Sequence, residues 1–290
     1  MSQTIVFGIS SAALYALFAS GLTLVFGVLD IVNLAHGAVY MWGAFVAWDL
    51  MVRHGLSLGI AISVAVVATG LLGVALEYLV FRQLRRRNAP GLMSLVAGLA
   101  AANLLVYASQ STFGAEVFRF PADALGGQIH VGSITSSAAE IFVVVAAVLL
   151  LGSMWWVIKR TRLGLAIRAI EEKRDIAALM GIPVDRIISL VFFGASAMAG
   201  LAGVAVGLTY ASISPFMGET LELKAFTIII LGGMGSIGGT VVASVAVAAL
   251  ETLAVVVNLS AYQDLAVFVL VLVLLMVRPQ GLFGRLQREA

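Results

Sequence analysis

Apolar runs dominate this chain, and their length leaves few choices of fold. Eight segments, roughly 5 to 29, 31 to 50, 56 to 80, 91 to 110, 138 to 158, 187 to 213, 224 to 258 and 263 to 277, have the character of bilayer crossings, for which a helix needs about 20 such residues. Lipid offers no partner to a backbone N–H or C=O, so spanning segments are helices or a closed barrel. Continuous runs, in place of alternating ten-residue strands, select helices. With 61% hydrophobic and only 11% charged residues, the expected class is an all-α polytopic membrane protein. It reads as a single transmembrane domain over residues 1–290, with no room for a soluble one. The first run lacks a basic leader and exceeds a signal peptide's apolar core, so it reads as a retained helix. There is no cysteine, which removes disulfides and Cys-type metal sites. His54 and His130 fall in predicted loops without ligand spacing, and no metal site is expected.

Charge sets an expected orientation. Arg82, Arg85, Arg86 and Arg87 follow the third segment; Lys159, Arg160, Arg162, Arg168, Lys173, Arg174 and Arg186 lie between the fifth and sixth; Arg278, Arg285 and Arg288 close the chain. These three places hold fourteen of the seventeen cationic residues, with Arg53, Arg119 and Lys224 in the loops between, so the positive-inside rule makes them cytoplasmic. The distribution also argues against a nucleic-acid partner. Parity then requires segment seven to begin and end on the outer side. At 35 residues it is long for one crossing and short for two. Its middle, LGGMGSIGG at 231 to 239, carries Gly232, Gly233, Gly235, Gly238 and Gly239 around Ser236. Each glycine costs a helix about 1 kcal/mol against Ala, so the segment is expected to be broken or re-entrant there, or else closely packed through its small residues. Gly200, Gly203 and Gly207 read as packing glycines.

Polar residues interrupt the second segment. In GVLDIVNLAHGAVYMWGAF, 27 to 45, a continuous helix would align Asp30, Asn33, His36 or Gly37, and Tyr40 on one face. An interhelical hydrogen-bond network or the lining of a solute path both account for such a stripe. Asn103 in segment four and Glu251 in segment seven stand alone in apolar runs. Glu77 reads as an interfacial partner of Arg82.

The longest polar stretch, RTRLGLAIRAIEEKRDIAALMGIPVDRI at 160 to 187, predicts a helix over 165 to 180. In it Arg168 reaches Glu171 and Glu172, and Glu171 reaches Arg174, at i+3 and i+4 spacing. Ile176, Leu179 and Met180 form an apolar end, Gly181 a stop, and Pro183 a barrier to continuation. Such a helix rests on a membrane surface or inserts into a partner's groove. No GxxxxGK[ST], HExxH or GxSxG is present, which leaves the chain without a nucleotide loop or hydrolase signature of its own.

Four ordered blocks, GLTLVFGVLDIVNLAHGAVYMWGAF (21 to 45), RAIEEKRDIAALMGIPVDRIISLVFFGASAMAGLAG (168 to 203), LKAFTIIILGGMGSIGGTVVAS (223 to 244) and RPQGLFG (278 to 284), resemble the permease subunits of branched-chain amino acid ABC importers of the LivH type. The resemblance implies a bacterial inner-membrane subunit with a cytoplasmic C-terminus. It implies a LivM-like second permease, two cytoplasmic ATPase subunits that hold ATP and Mg, and a periplasmic substrate-binding protein, with no cofactor in this chain. It makes 160–187 a coupling segment, with Arg168, Glu171, Asp175, Leu179, Gly181 and Pro183 as ATPase-coupling candidates. Expected substrate-path candidates are Asn33, His36, Gly37, Tyr40, Asn103, Gly232, Gly233, Gly235 and Ser236. Urea, short amides and aromatic or other carboxylates are alternative solutes. A secondary transporter or channel is the alternative class; it needs an intramembrane ion-coupling acid, for which Glu251 is the nearest candidate.

Overall fold

The computed structural model describes residues 2–29, 31–121, 125–131 and 134–284, and the side chains of 128–135 are left aside. Twelve α-helices are found among them: α1 Ser2–Leu29, α2 His36–Val52, α3 Leu58–Leu76, α4 Arg82–Arg86, α5 Gly91–Phe113, α6 Ala138–Arg160, α7 Arg162–Glu172, α8 Arg174–Leu179, α9 Val184–Tyr210, α10 Met217–Gly232, α11 Ile237–Val256 and α12 Gln263–Val277. A π-turn, Glu77–Phe81, joins α3 to α4. Four short strands form two antiparallel pairs, β1 Phe118–Arg119 with β4 Ser212–Ile213 and β2 Gln128–Val131 with β3 Ile134–Ser137. Seven of the described helical segments are long and apolar enough to cross a bilayer. This is an all-α polytopic membrane protein. Of the expected eight crossings the exception is α2, at 17 residues; α10, the first part of segment seven, has 16, and both are short for the bilayer's ~30 Å core.

The core is α1, α2, α3 and α9, whose small residues let backbones approach. A Cβ on Gly203 would strike the Tyr40 carbonyl, one on Gly43 the backbone of Gly200, and one on Gly200 the Thr69 side chain. Phe18, Tyr40, Phe45 and Phe192 fill the space between them, fully or almost fully buried. Gly207 lies against the Phe120 ring, so all three glycines read as packing residues do pack closely.

Two expected helices are corrected. The polar stripe is not a continuous helix, because residues 31–35 are non-helical and α2 starts only at His36. The Asn33 side chain accepts the Ala35 N–H at 3.1 Å, a local bond that offers the backbone an alternative to the helix. Asp30 lies outside the described residues. The helix expected over 165 to 180 is two, separated by the extended Lys173 (φ −154°, ψ 105°). Arg168 donates to the Ile158 carbonyl at the end of α6, and Arg174 to the Val28 carbonyl of α1 at 3.5 Å. These tertiary ties override the local propensity for one continuous helix.

One end of the bundle gathers the basic stretches. Glu77, fully buried, pairs with Arg82 at 2.7 Å and with Arg85 at 2.9 Å. Arg85 and Arg86 reach Asp185 at 2.6 and 3.0 Å. Arg82 also donates to Ser189 at 2.6 Å. The start of α9 is thereby fastened to the end of α3, and the acids offset the cost of burying the guanidinium groups. The α10–α11 turn, the end of α1 and residues 281–284 lie at this same end, with Gly235 beside Gly27 and Gly233 beside Gly284. Arg285 and Arg288 lie outside the described residues.

Candidate functional site

Two helices begin inside the bundle instead of at its ends. His36, the first residue of α2, sets its Nε2 3.3 Å from the carbonyl oxygen of Phe18. Phe18 lies near the middle of the 28-residue α1, eleven residues, or roughly 16 Å of helix, from its end at Leu29. Residues 31–35 therefore climb back along α1, and α2 starts about halfway through the membrane. The chain also re-enters after β4, and α10 starts at Met217 with Gly218 against Gly37. The first turns of α2 and α10 meet with only glycine between them. A Cβ on Gly37 would lie 2.8 Å from the Gly218 carbonyl oxygen and 2.7 Å from Glu222 Oε2.

The N–H groups of a helix's first turn lack partners within that helix. In water they are hydrated; here the Glu222 side chain reaches across from α10 and sets its Oε2 against Gly37. Such an arrangement brings an acidic side chain to the positive end of the α2 dipole. Beside it lies a cavity of about 240 Å³ between α2, α5 and α10. Gly37, Asn103, Glu219 and Glu222 supply its polar lining, and Leu34, Ala102, Val106 and Phe226 much of its apolar wall. The volume falls below the ~300–1,000 Å³ typical of drug-sized ligands and suits a smaller solute.

Of the path candidates named from sequence, Gly37 and Asn103 line this cavity. Asn33 is buried in the non-helical approach to α2, and His36 and Tyr40 are buried against Phe18, with ring centroids 4.8 and 5.3 Å from its own. Gly232, Gly233, Gly235 and Ser236 are elsewhere, in the α10–α11 turn at the basic end. The helix is broken there, as expected: Gly233 and Gly235 take positive φ of 96° and 81°. The turn packs through backbone, Gly232 against Gly239 and Gly233 against Gly284. Ser236 accepts the Gly239 N–H at 3.2 Å.

Glu219 and Glu222 were missed because GETLELK reads as the loop before segment seven. Their i, i+3 spacing, which places both on one face of α10, was the available signal. Lys224 is likewise in α10 and not in an outer loop. It bridges Glu251 at 2.9 Å and Asp264 at 3.1 Å, while the Tyr15 hydroxyl donates to Glu251 at 2.7 Å. Glu251 is thus an ion-paired residue joining α1, α10 and α11. No group of three His, Asp or Glu with metal-site geometry is found among the described residues.

Among the coupling candidates, Asp175 lies in the first turn of α8, Leu179 ends it, Gly181 has φ +83°, and Pro183 precedes α9. Leu179 and Met180 are 87% and 79% exposed, an apolar tip that projects from the basic end of the bundle. Arg168 is turned inward to Ile158, and Glu171 lies beside Gly27 of α1.

A family model described as branched-chain amino acid transport system, permease component, matches residues 4–277. The chain belongs to this permease family. Its relatives include the high-affinity branched-chain amino acid transport system permease protein LivH of Salmonella typhimurium, 33% identical, with 97% of the permease and 95% of the relative aligned. The LivH protein of Escherichia coli K12 is 32% identical over the same shares. BraD of Pseudomonas aeruginosa is 31% identical, with 99% of the permease and 97% of BraD covered. No solved structure matches the permease. Membership makes it a multi-pass transport subunit of the inner membrane.

Proposed function

We propose that this permease is one membrane subunit of an ATP-driven importer that moves branched-chain or closely related small amino acids by alternating access. The end-to-end match to LivH and BraD carries the reading. The basic end then faces the cytoplasm by the positive-inside rule, with the C-terminus on that side and residues 160–187 as the coupling segment. The chain holds no cofactor; ATP and Mg sit on two ATPase subunits. Leu179 and Met180 insert into a groove on one of them. Fastening of α7 to α6 and of α9 to α3 lets movement of this tip reach the spans as rigid-body rocking.

A second, LivM-like permease covers the open side of the cavity, where α5 and α10 would otherwise present Asn103 and Glu219 to lipid at a cost of a few kcal/mol on insertion scales. A periplasmic binding protein delivers the solute from the opposite side. The pairing of Glu251 with Lys224 removes the acid named from the sequence as the ion-coupling candidate of an ATPase-independent carrier.

The test is reconstitution of the complex expressed with its neighbouring genes. ATP-dependent leucine uptake that requires the binding protein, and is uncoupled from ATP hydrolysis by Leu179→Asp with Met180→Asp, is the expected result. Uptake by the lone chain without ATP would overturn it.

A further inference from the structure

The carboxylate at the junction of α2 and α10 has one oxygen packed against Gly37 and the other without a partner. Oε2 lies beside Gly37, whereas Oε1 is buried and has no hydrogen-bond partner among the described residues. A buried carboxylate oxygen without a donor is costly. Here it belongs to a residue that lines a cavity whose remaining wall is largely apolar. We propose that Glu222 receives the ammonium group of the solute, so that this site takes a primary amine attached to a small aliphatic body. The inference rests on the importer reading above.

The chemistry is specific. The cavity needs a donor at Oε1, and a compact ammonium brings three. Packing against Gly37 confines the Glu222 side chain before the solute arrives, and less ordering is then lost on binding. Leu34, Ala102, Val106 and Phe226 receive an aliphatic side chain, and the Asn103 amide can donate to a solute carboxylate, which Glu222 itself repels. Transfer of the α2 N-terminus to a solute carboxylate is disfavoured, because Glu222 already occupies it. Glu219 lines the same cavity one turn earlier but is exposed, so its charge is the better screened of the two.

Two measurements test the assignment. In the reconstituted full complex, Glu222→Gln is expected to raise the leucine concentration for half-maximal uptake about ten-fold, the scale of one charge-assisted hydrogen bond of 1.4 kcal/mol. Glu222→Asp should recover part of the loss and Glu219→Gln show a smaller one. Wild-type half-saturation in Glu222→Gln overturns the proposal. Should that variant fail to assemble, the wild-type complex still decides through carbodiimide labelling of Glu222 read by mass spectrometry. L-leucine is expected to protect, and 4-methylpentanoate, the same molecule without its amine, is not. Equal labelling with either compound overturns the proposal. Protection by leucine in a complex that shows no ATP-driven uptake would retain the ammonium site and reject the importer reading instead.

Discussion

The permease interrupts its helices in two places, and the two breaks are built from opposite materials. The one between α10 and α11 is made of glycine, lies at the basic end of the bundle, and is packed backbone to backbone against residues 281–284. The one before α2 is made of side chains: Asn33 bonds to Ala35, His36 faces Phe18, and Glu222 packs against Gly37. The second lies beside the cavity of about 240 Å³. Glycine richness here reports close approach of chains, which fills space, whereas the polar residues at the start of α2 mark backbone left beside a cavity.

The largest expected effect follows from the packed break. A Cβ on Gly232 would lie 2.5 Å from the Gly239 carbonyl carbon, and the obstacle is backbone, which cannot rotate aside. Gly232→Leu is therefore expected to cost more than the ~1–3 kcal/mol of ordinary overpacking and to remove the permease from the membrane fraction, as read by immunoblot. Normal abundance with lost uptake would instead place a functional opening at the glycine turn and reverse the contrast.

At the open break the expected pattern differs. Gly37→Ala sets a methyl group against the Glu222 side chain, which can turn into the cavity, and 2.8 Å from the Gly218 carbonyl oxygen, which is backbone and must shift. Uptake is expected to fall about ten-fold, on the scale of one charge-assisted hydrogen bond, with a smaller loss of abundance than in Gly232→Leu. His36→Leu should behave otherwise again. His36 is fully buried against Phe18 and has no place in the cavity wall, so uptake and abundance should decline together, by an amount corresponding to roughly 1–3 kcal/mol of lost polar satisfaction.

These contrasts show which parts of the molecule were legible in its sequence. Spans such as 138 to 158 and 263 to 277 fall within a few residues of α6 and α12, because the bilayer imposes length and apolarity on each crossing independently of its neighbours. The glycine break was legible for a similarly local reason, the helix penalty of glycine. The cavity was not. Asn33 and His36 looked like one face of a helix, since three- and four-residue spacing cannot reveal that the chain unwinds between them. Glu222 acquires its meaning only from Gly37, a residue 185 positions away that packing across the bundle brings to it. Lys224 and Glu251 were separately visible as charges, yet their pairing depends on α10 and α11 turning back on each other.

The smallest effects provide the sharpest test, since each break contains one side chain that accepts one backbone N–H. Ser236 Oγ accepts from Gly239 at 3.2 Å and Asn33 Oδ1 from Ala35 at 3.1 Å, so the bonds themselves are nearly matched. Their surroundings are not. Ser236 is partly exposed at the end of the bundle, where water can replace the hydroxyl, and Ser236→Ala should cost about 1 kcal/mol, as for other helix caps. Asn33 is 1% exposed at mid-membrane, and Asn33→Ala leaves a buried N–H with nothing to accept it, at ~1–3 kcal/mol. Thermal denaturation of the two variants in the same detergent should therefore rank Asn33→Ala as the less stable. The reverse order would mean that water already reaches the α2 break, and the cavity beside it would then have to be an open aqueous passage instead of a walled site.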